Sequence, residues 1–251
     1  MTIILFALLG LITAVIINIL ADHLPERQTP QMPYCLQCGH PYDPIGWVAI
    51  TRWLWGGGIC VNCGQLEPKR PPLVEVVTPI LFALLPILFD DPRIWFVYAV
   101  YIAMLILIIV IDLEHKLILN VVTYSGTMIA LFGALILPSS ENSGALALTG
   151  AVFGFVIFFI LYWIGEKMFG VGALGFGDVK LAMLLGAMLG LQRIPFALAL
   201  GILLGGVGTI LVLLFNRRVG RHTALPYGQY LAAAGIIMIY WGTAVSNYYL
   251  P

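Results

Sequence analysis

Charge is what this sequence has least of. Only 10% of its residues are Asp, Glu, Lys or Arg against 61% apolar, and its 12 basic and 12 acidic residues cancel. So little charge excludes a soluble globule and makes the chain a polytopic membrane protein. A net charge of zero gives no reason to expect a nucleic-acid or acidic partner. There is no charge run, no low-complexity tract and no internal repeat. The first apolar stretch lacks a positive n-region before it and a small-residue cleavage site after Leu20. That excludes a secretory signal and leaves a retained helix. Nor does any glycine-rich loop follow a strand, so no nucleotide-binding fingerprint is present.

What is there is a series of apolar runs close to bilayer length, at 3–20, 73–89, 94–111, 118–137, 145–164, 179–192, 195–215 and 226–245. They predict an all-α polytopic membrane protein with about eight transmembrane helices, the sixth being short. Orientation follows from the basic residues, which favour the cytoplasmic side. Alternate loops on one side collect Arg27, Arg52, Lys69, Arg70, Lys116, Lys167, Lys180, Arg217, Arg218 and Arg221, whereas the other side holds only Arg93 and Arg193. Both termini are therefore expected outside and the long segment 21–72 inside. The organisation reads as a first transmembrane helix at 1–20, a cytoplasmic segment at 21–72 and a seven-helix membrane domain at 73–251.

All four cysteines lie in that cytoplasmic segment, as "CLQC" (Cys35, Cys38) and "CVNC" (Cys60, Cys63), with 21 residues between the pairs. Thiolates two residues apart on a tight turn can face one ion, and a second such turn closes a tetrahedral shell of the kind Zn²⁺ takes structurally. A pair of disulfides is the competing reading, disfavoured in a reducing compartment. His23 and His40 are near enough in sequence to substitute as ligands, but four cysteines suffice.

Ionisable residues inside or at the edge of a membrane are costly, so each needs an account. Asp90, Asp91 and Arg93 fit a short outer loop, Glu166 and Lys167 a helix end, and Arg217 to His222 a basic inner loop. Asp112 ends the apolar run "AMLILIIVID", Asp178 opens the sixth span in "GALGFGDVKL", and Glu75 begins the second span, where snorkelling to the interface would explain it. The topology brings Asp112 and Asp178 near the cytoplasmic face. Two carboxyls sharing a proton can act together, one as general base on water and the other as acid polarising a peptide carbonyl, which is aspartic proteolysis. With Asp112 at the carbonyl end of its helix and Asp178 at the start of its own, the helix dipoles would make Asp112 the protonated acid and Asp178 the base. Gly175 and Gly177 would let an extended substrate backbone approach the carboxylate. A rival reading makes the chain a transporter or channel using Asp112 and Asp178 as proton or cation sites. Such sites favour the bilayer midplane between repeated halves. A membrane-anchored zinc scaffold would leave the aspartates idle.

Together these residues resemble the type IV prepilin peptidases, inner-membrane aspartic enzymes of the G-x-G-D type. "GALGFGDVKL" looks like the family's second aspartate motif. "IDLEHKLILN" looks like its first, with Leu119 where a proline is usual. "PLVEVVT", the paired C-x-x-C knuckles, "ALPYGQYL", and Asn18 followed by "HLP" at His23 to Pro25 match further stretches. The resemblance implies catalysis by Asp112 and Asp178, and its cytoplasmic loop coincides with the four-cysteine Zn²⁺ site that the spacing of Cys35, Cys38, Cys60 and Cys63 predicts. The implied substrates are prepilins or pseudopilins of type IV pilus or type II secretion systems. Their basic leaders are cut after Gly at the cytoplasmic face of the bacterial inner membrane. It also implies N-methylation of the new terminus from S-adenosylmethionine, with Glu75 a possible contributor. Partners are thus the substrate and membrane lipid; oligomeric state is not readable.

Overall fold

The computed structural model describes residues 1–137, 142–170, 174–215 and 227–249. Among these residues it is helical: α1 (Thr2–His23), α2 (Ala49–Gly56), α3 (Arg70–Leu88), α4 (Pro92–His115), α5 (Asn120–Ile136), α6 (Gly144–Phe169), α7 (Phe176–Leu189), α8 (Ile194–Phe215) and α9 (Gly228–Tyr249). The β pairing among them amounts to two isolated bridges, Tyr34 with Pro41 and Ile59 with Leu66. Every apolar run of the sequence has become a helix, and α2 is an addition inside the expected cytoplasmic segment. Among the described residues, five helices are long and apolar enough to cross a bilayer, namely α1, α3, α4, α6 and α8. By contrast α5 has 17 residues and α7 only 14. The basic stretch Arg217 to His222 and Ala224 to Pro226 of "ALPYGQYL" lie outside the described residues.

Helix ends differ from the sequence expectation where capping decides them. Pro71 and Pro72 sit in the first turn of α3, where a missing N–H costs little, so the helix begins before residue 73. The fourth helix runs a turn beyond residue 111 and stops where Lys116 takes a left-handed φ of 53°. The short α7 starts at Phe176, which puts Asp178 inside its first turn instead of at its opening.

The chain forms two compact units, Met1–Trp95 and Phe96–Pro251. In the first, α1 buries Phe6, Gly10, Ala14, Ile17, Asn18 and Ala21, a stripe at helical spacing. It lies against α3, where Val74, Glu75, Thr78, Phe82 and Leu85 are buried. A Cβ on Gly10 would come within 2.7 Å of the Pro79 Cα, so the glycine sets the approach of the two helices. On the other side of α1, Ile4, Leu8, Ile12 and Ile16 are exposed, as expected of a surface whose solvent is lipid.

In the second unit the short α7 is the centre. Every residue from Val179 to Leu189 except Lys180 and Met183 is buried, packed by α5, α6 and α9. Without a hydrophobic effect between helices in lipid, small residues do the close packing. Gly150 and Gly154 of α6 meet the backbone of Gly186 and Ala182 of α7, leaving no room for a Cβ at any of the three glycines. Asn142 then donates to the Ala187 and Met188 carbonyls near the α7 terminus, 3.2 and 3.3 Å away.

Gly186→Val would drive a branched side chain into the α6 backbone. Thermal unfolding in detergent is expected to show a loss of about 3 kcal/mol or more, the top of the overpacking range. Gly206→Ala, in open space on α8, should change stability by less than about 1 kcal/mol. Equal melting temperatures for the two variants would contradict the close α6–α7 contact.

Candidate active site and metal centre

Asp112 lies one turn before the end of α4 and is only 4% exposed. A carboxylate so buried needs donors, and the start of α9 supplies them. The Gln229 amide donates to Asp112 Oδ2 at 2.8 Å and the Gly228 amide donates to the same carboxyl. Gly228 lets this approach be close, since a Cβ there would lie 3.1 Å from Asp112 Oδ2 and 2.7 Å from Ile118 Cδ1.

Asp178 occupies the third position of α7, with Gly175 as N-cap, and is 6% exposed. Its carboxyl folds back to accept the Gly175 amide, the acidic half of a capping box. The remaining oxygen, Oδ1, is buried and has no partner. Asp112 and Tyr227, just before α9, both lie within electrostatic reach of Asp178.

The segments carrying the two aspartates are tied together beyond the carboxyls. Ile118, six residues after Asp112, packs where a Cβ on Gly177 would come within 2.9 Å of its own Cβ. Lys180 Nζ donates to Asn120 Oδ1 at 2.6 Å and lies over the Phe176 and Tyr124 rings. Gly177 is thus needed for packing against Ile118, and Gly175, which is exposed, makes room for Asp178 Oδ2. None of these pairings was foreseen from the sequence.

The dipole basis for the sequence-level acid and base assignment does not survive this geometry. Asp112 does lie in the last turn of α4, which ends at His115, but its side chain faces the N–H end of α9, whose dipole acts on it in the opposite sense. Both aspartates are met by helix starts.

The four cysteines converge. Their sulfurs all lie within 4.8 Å of one another, Cys35 to Cys63 at 3.8 Å and Cys38 to Cys60 at 3.9 Å. A tetrahedron with Zn–S bonds of about 2.3 Å has S···S edges of about 3.8 Å. The separations are far beyond a disulfide bond, and all four thiols are free. The two knuckles are built alike. The Cys35 amide bonds the His40 carbonyl and the Gly39 amide the Cys35 carbonyl; Cys60 with Gln65 and Gly64 with Cys60 repeat the pattern. Gly39 and Gly64 both have φ of 70°, the left-handed conformation each turn requires. Burial raises the Cys35 thiol, but the Cys38 and Gln37 amides and the Cys60 and Cys38 side chains outweigh it and bring it down to about 6. The Gln65 amide pulls the Cys63 thiol down, but burial and the Cys60, Cys38 and Cys35 sulfurs push it up to about 12. Four sulfurs this close oppose one another's ionisation, a cost that a divalent cation removes. The residues present therefore fit a structural metal. His23 and His40 lie outside the cluster: His23 Nδ1 faces the Ile19 carbonyl at 2.7 Å and His40 is exposed.

Glu75 does not snorkel. It is 2% exposed and accepts the Ala49 and Ile50 amides of α2 at 2.9 and 2.8 Å, with Asn18 Nδ2 at 3.5 Å. Its nearest donors are the start of α2, a helix the sequence reading did not include.

Two family models match the chain, the type IV leader peptidase family over residues 99–210 and the bacterial peptidase A24 N-terminal domain over residues 8–89. Among curated proteins, the prepilin leader peptidase/N-methyltransferase of Aeromonas salmonicida (strain A449) is 31% identical over 234 residues, 90% of this chain and 77% of its own. That of Aeromonas hydrophila is 31% identical over 236 residues, 91% and 78% of the two chains. The Pseudomonas aeruginosa protein of the same name is 30% identical over 275 residues, 97% and 91%. No solved structure matches the chain. The first model spans Asp112 and Asp178 and the second spans Glu75 and all four cysteines, and on these matches the chain belongs to the type IV leader peptidase family.

Proposed function

We propose that this chain is a bifunctional inner-membrane enzyme. It cuts the basic leader from type IV prepilins or pseudopilins by aspartic catalysis at the cytoplasmic face, after Gly, and then N-methylates the new terminus. The single observation that carries the peptidase reading is that Asp112 and Asp178 are both buried and within electrostatic reach of each other, with Ile118 of the Asp112 segment packed on Gly177. Both termini lie outside in this reading, in keeping with the loop charge bias.

The hydrogen bonds favour Asp112 as the ionised partner, because two amides of α9 already donate to it. Asp178 carries the shared proton on Oδ1, the buried oxygen that no group meets. Asp112 takes a proton from water as the oxygen adds to the scissile carbonyl carbon, and Asp178 donates a hydrogen bond to the developing oxyanion. Collapse breaks the C–N bond, the amine leaves with the proton held by Asp112, and the pair returns to one proton. The exposed backbone at Gly175 gives an extended substrate a way to the carboxyls, with Gly177 keeping the first turn of α7 slim. A transporter reading gains nothing here, since the sequence shows no internal repeat that would build a midplane site.

Zn²⁺ on Cys35, Cys38, Cys60 and Cys63 would hold the two knuckles together and supply no step of the hydrolysis. S-adenosylmethionine, when bound, supplies a sulfonium methyl group, which the new terminal amine takes up as the C–S bond breaks, sulfur leaves as a thioether and nitrogen loses a proton.

Asp112→Asn and Asp178→Asn are each expected to cut leader cleavage of a prepilin peptide by about 10³-fold or more. The double variant should lose little further, since the two act as a unit. Near-normal cleavage in either variant, or proton flux without cleavage in the parent, would contradict the reading.

Purified protein is expected to carry one Zn²⁺ per chain. Cys35→Ser/Cys38→Ser should abolish the metal and expose segment 24–69 to protease, as folding there is coupled to the ion. Metal-free protein with an equally protected segment would remove the structural zinc.

A further inference from the structure

A cavity of about 330 Å³ lies within the first unit, between the inner ends of α1 and α3 and the knuckle segment. That is the lower part of the range for a small-molecule site. The peptidase mechanism uses none of its residues. Its walls hold three polar atoms that are buried and meet no donor or acceptor: Asn18 Oδ1, His23 Nε2 and Glu67 Oε1. Their residues are 7%, 2% and 8% exposed. Leaving such groups unpaired costs about 1–3 kcal/mol each, so three around one cavity point to a ligand that pairs them.

The chemistry of the walls narrows that ligand. Asp22 is paired with Arg70 and Glu67 with Arg52, both at 2.7 Å. Glu75 is the surplus carboxyl, and the lining carries a formal charge of minus one. A cation is favoured, and phosphate-bearing nucleotides or anionic headgroups are not. Tyr34 and Trp47 add aromatic surface, and the orphaned atoms include two acceptor oxygens beside the ring of His23. An adenosine-bearing cation with its own ammonium and carboxylate, filling aromatic, acceptor and guanidinium surfaces at once, fits this set.

We infer that this cavity is the S-adenosylmethionine site, with Asn18, Glu67 and Glu75 as its polar contacts. The inference rests on the N-methyltransferase reading and names where in the chain that reaction draws its methyl donor. Glu75 acts there through charge while its two amide bonds hold α2 against α3.

Two measurements on the full-length chain in detergent test it. Photolabelling of the unaltered protein with 8-azido-S-adenosylmethionine, followed by peptide mass mapping, is expected to mark segments 15–37 and 65–75. Equilibrium dialysis with radiolabelled S-adenosylmethionine is expected to show Asn18→Leu and Glu75→Gln each weakening binding by about tenfold or more, the loss of one hydrogen bond to a charged or buried group. Zinc content and circular dichroism report whether the variants are folded. For Glu75→Gln the neutral product S-adenosylhomocysteine should lose less affinity than the cation, a difference that a merely structural role would not make. Labelling confined to residues 96–249, or unchanged binding in both folded variants, would overturn the site and leave the methyltransferase reading standing. Absence of both binding and methylation of a cut pilin in the unaltered protein would remove that reading and this site with it.

Discussion

A carboxylate kept among apolar helices must find N–H groups, because no water is there to solvate it. This chain meets the demand each time with the first turn of a helix. The amides of Gly228 and Gln229 receive Asp112, the Gly175 amide receives Asp178, and those of Ala49 and Ile50 receive Glu75. The arrangement satisfies orphaned helix donors and buried acids together, and each bond draws added strength from the positive end of the helix. Its consequence is positional. The start of α9 cannot shift without stripping Asp112, and the Asp112 segment cannot shift without moving Ile118 away from Gly177 and Gly228.

The glycines serve the same end. Gly150, Gly154 and Gly186 allow α6 to lie on the backbone of α7, so the 14-residue helix that carries Asp178 is enclosed although it is too short to span a bilayer alone. The packing of α7 from Val179 to Leu189 fixes the position of Asp178, while the exposed backbone of Gly175 leaves one approach open. The cofactor-sized cavity and the cysteine cluster belong to the other unit, whose architecture rests on the α1–α3 pair and the two knuckles.

Much of this was legible in the sequence. Apolar runs located every long helix, because in lipid the length and hydropathy of a segment decide its state almost alone. The C-x-x-C pairs announced their own convergence, since the knuckle is a local turn. What could not be read was everything that depends on pairing across distant segments. Nothing near Asp112 in sequence points to Gln229 as its donor, and nothing near Glu75 points to Ala49. Local reading therefore weighed for Asp112 only the dipole of its own helix, and for Glu75 offered snorkelling beside a possible part in methylation. Helix α2 was missed for a similar reason: eight residues, three of them Arg52, Trp53 and Trp55, carry a weak pattern, and its start is set by a carboxylate from α3.

The central claim is that Asp112 and Asp178 hold one proton between them, on Asp178. Infrared difference spectroscopy between the parent protein and each Asp→Asn variant at neutral pH measures this directly. A protonated-carboxyl band present in the parent and in Asp112→Asn, and lost in Asp178→Asn, is the expected result. A band lost instead in Asp112→Asn and kept in Asp178→Asn would reverse the roles, and no band lost in either would contradict the shared proton altogether.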